Sequence, residues 1–94
     1  MRDFVLRRNR LLVNMQPISE YIDFANYCVL LCKVEESEIF VEFNNEIDFL
    51  SSGYVGMLAI LTEQARLLEK TLYIQCNHNL QHWLKLLDVK FVEK

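Results

Sequence analysis

Glycine and proline are scarce, with two of the first and one of the second in 94 residues. With no clusters of Gly, Pro or Ser there is no low-complexity tract, repeat or flexible linker, so residues 1–94 read as one domain. No apolar run approaches the ~20 residues that a membrane-crossing helix needs. The three cysteines form neither a C-x-x-C nor a paired zinc motif, which leaves no redox or disulfide framework. Cys28 and Cys32 lie among Val29, Leu30 and Leu31 and are expected to fill core volume. There is no G-x-S-x-G. Gly53-Tyr54-Val55-Gly56 lacks both the lysine of a P-loop and the third glycine of a dinucleotide-binding turn. A net charge of -3 excludes a general nucleic-acid binder. Met1-Arg2-Asp3-Phe4 leads directly into strand-like sequence, so no signal peptide is expected. These absences set the expectation of a cytoplasmic protein that is not membrane-embedded and carries no cofactor.

What is present is an apolar content of 52%, enough for one modest core, and an uneven charge. Arg2, Arg7, Arg8 and Arg10 crowd the start, while Glu35, Glu36, Glu38, Glu42, Glu46 and Asp48 crowd the middle. Solvated turns and strand edges account for both clusters; a basic patch touching acidic partners or lipid is the sharper alternative. Phe4–Arg7 and Leu11–Met15 read as two strands around the polar turn Arg8-Asn9-Arg10. Pro17 starts a turn, and Ser19 caps a helix to about Lys33 with Ile22, Ala25, Val29 and Cys32 inward. Tyr21, Phe24 and Tyr27 add apolar area on neighbouring faces, so this helix buries more than one side or displays an aromatic stripe.

The segment Ile39 to Leu68 organises the rest. It opens on the strand Ile39–Phe43 and ends on a helix whose Val55, Leu58, Leu61, Ala65 and Leu68 recur at three and four. Between them, Leu50-Ser51-Ser52-Gly53 places two hydroxyls at the positive end of a helix, Ser51 or Ser52 capping it. Tyr54 and Met57 lie beside that end, either as interface residues or as core and rim. Downstream, Leu72-Tyr73-Ile74 is a further strand, Asn77 or Asn79 caps a helix with Leu80, Trp83, Leu84 and Leu87 on one face, and Phe91-Val92 closes the chain as a short strand or extended end. Strands alternating with helices predict an α/β fold: a mixed, mostly parallel sheet with antiparallel N-terminal strands and about three packed helices.

From about Val41 to Val92, strand, acidic-polar turn, Ser51-Ser52-Gly53, amphipathic helix, short strand and helix resemble the STAS domain family. The resemblance implies a non-enzymatic regulatory module like an anti-sigma-factor antagonist, which binds an anti-sigma factor that is itself a serine kinase. The family's motif reads Asp-Ser-Ser-Gly and its first serine is phosphorylated, which falls on Ser51 here, with Ser52 second. Leu50 stands where the family has aspartate, and Asp48 lies two residues earlier. The implied partner face is Asp48, Ser51, Ser52, Gly53, Tyr54 and Met57. A second member type, the small STAS subunit that buttresses the ATPase of a lipid-transport ABC complex, is a permanent partner and needs no acceptor serine. The sequence leaves homo-oligomerisation open.

Two chemical alternatives compete with this reading. Cys76-x-His78-x-x-x-His82 offers ligands one helical turn apart without an evident fourth, so no metal site is expected. Ser51 or Ser52 as nucleophile needs a nearby base, and both histidines fall in the last helix, so no catalytic residue is assigned.

Overall fold

The computed structural model describes residues 3–15, 21–87 and 92–93. Pro17, Ser19 and Phe91, on which a turn, a helix cap and a closing strand were expected, lie outside them. Strands β1 (Phe4–Arg7), β2 (Arg10–Val13), β3 (Glu38–Phe43), β4 (Thr71–Gln75) and β5 (Val92–Glu93) alternate, after the first two, with helices α1 (Tyr21–Cys32), α2 (Ser52–Leu67) and α3 (His78–Leu86). The fold is α/β as expected. The sheet runs in chain order, β1-β2-β3-β4-β5, with β1 and β2 antiparallel and every later pairing parallel.

Sequential order has a structural consequence. Parallel neighbours joined by crossovers of one hand place their helices on one side of the sheet. The core agrees: Phe24, Cys28 and Leu31 of α1, Tyr54, Leu58, Leu61 and Ala65 of α2, and Leu80 and Leu84 of α3 join Leu11, Val13, Ile39, Val41, Phe43, Leu72 and Ile74 in a single cluster. The strand residues in it alternate, as a half-buried pleat requires. Phe40 faces the other way and is 6% exposed, yet stands outside that cluster. Its cover comes from its own row of the sheet. The Arg10 guanidinium lies 4.1 Å from the ring centre, and Tyr73 stacks on the ring at 5.0 Å. Arg10 pairs with Glu42, and the Tyr73 hydroxyl donates to Glu38 Oε2 at 2.8 Å, which raises the phenol pKa. The second face is thus clothed by charged and aromatic side chains lying flat on one another.

The same contacts decide the charge clusters. Arg8 Nε meets Glu36 Oε2 at 2.6 Å and Arg10 meets Glu42, so part of the basic start pairs with part of the acidic middle where β2 and its turn run beside β3 and its preceding loop. Arg8 takes φ 57, the left-handed region, in the turn that lacks glycine. The turn is held from outside: Asn9 Nδ2 donates to the Glu38 carbonyl at 2.8 Å, and Phe40 N donates to the Asn9 carbonyl at 2.9 Å.

One expectation for α1 is corrected. Ile22 and Val29, placed inward by the sequence, are exposed, and Phe24, Cys28 and Leu31 are buried instead. The segment is apolar nearly all round, so two stripes compete. Phe24 wins because its ring meets Tyr54 at 4.9 Å, Phe4 at 6.0 Å and Phe43 at 6.5 Å. On α2 and α3 the expected faces hold through Leu58, Leu61, Ala65, Leu80 and Leu84, while Leu68 and Leu87, each just past its helix, are exposed.

Helix α2 ends in a Schellman turn. Lys70 N donates to Ala65 O at 2.8 Å and Glu69 N to Arg66 O at 3.1 Å, with Glu69 at φ 58 where glycine is usual. Lys70 Nζ then donates to the carbonyls of Val34 and Glu36, at 2.7 and 2.6 Å, clasping the α1–β3 loop. Relief of a left-handed side chain (~1–2 kcal/mol) outweighs the greater chain entropy of glycine (~0.5–1 kcal/mol). Glu69→Gly is therefore expected to stabilise by about 0.5 kcal/mol, read as a higher urea midpoint; a lower midpoint would contradict it.

Candidate functional site

The β3–α2 loop is fixed before it reaches the serines. Asn44 Oδ1 accepts from Glu46 N at 2.9 Å, and Ile47 N donates to the Asn44 carbonyl at 3.0 Å, a compact Asx turn. Ile47 and Leu50 drop into the core, Leu50 at 2% exposure, while Phe49 between them is 63% exposed. A loop of this kind anchors itself with two aliphatic side chains, Ile47 and Leu50, and turns Asp48 and Phe49 outward between them.

Ser51 follows as the N-cap residue of α2, half-buried and extended at φ -67 and ψ 162. Its side chain makes no capping hydrogen bond, contrary to the expected serine cap; the backbone carbonyl accepts from Val55 N at 3.0 Å. Ser52 is the first helical residue and is exposed, the more accessible of the two hydroxyls. No acidic residue occupies the first turn of α2, so the partial positive charge of that end is not met by a carboxylate of its own helix. Gly53 is set by α1: a Cβ there would approach Tyr21 Cγ to 3.3 Å, so the two helix starts touch where only a hydrogen fits comfortably. Met57, one turn further, is half-buried at the rim.

Tyr54 does not belong to this surface. It is 0% exposed, its ring stacked 4.9 Å from Phe24 and 6.4 Å from Phe4. Its assignment to the partner face is corrected: as the third residue of α2 it shares the buried face of Leu58 and Leu61 and packs against α1, and the choice between interface and core falls to core. Leu50 is likewise a core residue, its side chain turned inward. Asp48 is exposed and its Oδ1 accepts from Asn77 Nδ2 at 2.7 Å, with Asn79 Nδ2 at 3.4 Å. It is held against the start of α3. Asn77 also donates to the Asn45 carbonyl at 2.6 Å and, as N-cap of α3, accepts from Leu80 N at 2.7 Å. One amide thus locks the loop carrying Phe49 and Ser51 to the neighbouring helix.

No protein-family model matches the chain, and no curated protein matches it. The site therefore has to be judged on its own chemistry. Among the described residues no three His, Cys, Asp or Glu side chains gather as a metal site, and no helix is long and apolar enough to cross a membrane. His78 and His82 are exposed on α3. Burial, with a smaller contribution from Cys32, pushes the Cys28 thiol up to about 12, so it carries essentially no thiolate at neutral pH. Burial also raises Cys32.

Two features escaped sequence reading. Phe49 lies inside an acidic loop whose in-out-out-in order, Ile47-Asp48-Phe49-Leu50, follows no period that the sequence displays. The second is an open groove of about 650 Å³ between α1 and α2, lined among others by Val29, Lys33, Met57, Ile60 and Leu68. Its trace in the sequence is the surplus of apolar residues on α1 beyond those one buried face can use.

Proposed function

We propose that the chain is a cytoplasmic, non-enzymatic protein-binding module of STAS type, contacting its partner through the N-terminus of α2. The contact comprises Phe49, Ser51, Ser52, Gly53 and Met57, with Asp48 at its edge and Tyr54 behind it as support. The observation that carries this reading is Phe49: an aromatic ring displayed on a loop made rigid by Ile47, Leu50 and Asn77. Exposed rings held in place lose little entropy on binding and are favoured anchors of interfaces. Beside it, two serines stand at a helix end that carries no acidic residue, where a phosphate is well accommodated within the free protein.

In the first form of the proposal the partner is an anti-sigma factor with serine-kinase activity, and phosphorylation of Ser51, or of the more exposed Ser52, adds ~1.5–2 negative charges that expel it. The second form, a permanent subunit against the ATPase of a lipid-transport ABC complex, is favoured by buried Leu50, which puts no carboxylate at the motif's first position. Co-purification of the intact chain from its own cells separates them, a kinase supporting the first and a transporter ATPase the second. Ser51→Asp and Ser51→Ala then test the switch on the recovered partner. The helix dipole favours the new carboxylate by ~0.3–1 kcal/mol and nearby Glu46 and Asp48 oppose it by a similar amount, so stability changes by under about 1 kcal/mol. Binding is expected to fall at least about a hundredfold for aspartate and to persist for alanine. Equal binding of both variants removes the switch and leaves the permanent subunit.

A further inference from the structure

Helices α1 and α2 both return the chain between parallel strands, so they run parallel and pack side by side. Tyr21 beside Gly53 marks their N-terminal ends, and Lys33 with Leu68 marks the other. Their outward surface carries Ile22, Val29, Leu30, Ile60 and Leu67, each about half exposed or more. The groove between the helices has an apolar floor of Cys28, Cys32 and Leu61. A patch this continuous calls for a partner.

Charge on the same surface says which. The acidic residues that make the chain negative, Glu35, Glu36, Glu38, Glu42, Glu46 and Asp48, all sit on loops or on the sheet. Among the described residues, the two-helix face carries instead two residues of each sign. Glu63 and Arg66 neutralise one another at 2.5 Å. Asp23 and Lys33 stand at opposite ends of α1, ten residues apart, and neither side chain is paired with a described residue. A two-fold axis across α1 turns that pair into complementarity, because an antiparallel copy brings each Asp23 to the level of the other copy's Lys33, twice.

The geometry points to a second copy of this chain as the occupant: α1 of each protomer seats in the α1–α2 groove of the other, antiparallel, with Val29 at the centre and Asp23–Lys33 pairs at both ends. The surface is about 18 Å long from its 12-residue helix and roughly 20 Å wide from two helix diameters. That falls short of the ~800 Å² per partner of a standard interface, so the dimer is weak, with a dissociation constant on the order of 10–100 µM. This inference is independent of the reading of the α2 N-terminus, although Met57 belongs to both surfaces.

Sedimentation velocity on the intact chain across roughly 1 to 500 µM tests it. A monomer–dimer transition is expected, with Val29→Glu weakening dimerisation at least about tenfold. Asp23→Lys alone is expected to weaken it about three- to tenfold, and Asp23→Lys with Lys33→Asp to restore it to within about threefold, since the swap rebuilds both pairs. All three positions are exposed, and circular dichroism melts verify that each variant folds. A monomer at every concentration overturns the proposal, as does a dimer indifferent to Val29→Glu. Failure of the double swap to restore association overturns the antiparallel arrangement.

Discussion

Leu50→Asp is expected to cost the fold about 4 kcal/mol or more, although it completes an Asp-Ser-Ser-Gly sequence at the start of α2. Leu50 is 2% exposed, within the cluster that also holds Ile47 and Leu58. Removing its side chain forfeits about 2 kcal/mol of burial. The carboxylate put in its place has no described cation near the core, so it either enters charged at large cost or takes up a proton, losing several kcal/mol either way. A total of about 4 kcal/mol or more is set against a stability of ~5–10 kcal/mol for a domain of this size. Urea denaturation is the measurement, with Leu50→Met as the volume-matched control, expected to cost under about 1.5 kcal/mol. A wild-type midpoint for the aspartate variant would mean that Leu50 is not in the core. The proposed phospho-switch is therefore to be tested at Ser51, because an aspartate at position 50 acts on stability before it acts on binding.

Tyr54→Ala carries the second large effect. The ring fills the space between α2 and α1, 4.9 Å from Phe24, with Phe4 behind it at 6.4 Å. Truncating a fully buried aromatic costs about 3–5 kcal/mol. Tyr54→Phe separates ring from hydroxyl. Since no buried side-chain oxygen among the described residues goes without a hydrogen-bond partner, the phenylalanine variant is expected to lose about 1 kcal/mol. Pairing Tyr54→Leu with Phe24→Leu in a double-mutant cycle should return a coupling of about 0.5–1.5 kcal/mol for the stacked rings. An alanine variant within 1 kcal/mol of wild type would return Tyr54 to the surface.

The elements that sequence made legible are those in which one pattern stands alone. Ile39-Phe40-Val41-Glu42-Phe43 alternates, and β3 forms over it; Leu58, Leu61 and Ala65 repeat at helical spacing, and α2 buries them. Helix α1 was legible in extent but not in phase, because Ile22 and Val29 are as apolar as Phe24 and Leu31. Only the rings supplied by β1, β3 and α2 break the tie. At the site, the two serines and the helix start were readable. The inward turn of Leu50 and the outward turn of Phe49 were not, since a loop has no period from which a direction can be inferred; Tyr54, in contrast, stands four residues before Leu58 on the buried face of α2, and helical spacing carried its direction. The Lys70 clasp was equally invisible, joining residues more than thirty positions apart through backbone carbonyls that carry no side-chain signature.

The sheet is laid down in the order in which the chain is synthesised. Each strand after the first pairs with the one made just before it, so a nascent chain leaving the ribosome never waits for a distant segment in order to extend its sheet. The antiparallel pair β1–β2 closes first through a two-residue turn, and every later strand arrives with a helix that covers the fresh pairing from one side. Pairing with the preceding strand keeps loop closure short and the growing edge briefly open, which limits exposure to aggregation during translation. Strand β5 keeps to the same order, Val92 and Glu93 pairing with Tyr73 and Ile74 of the strand before it.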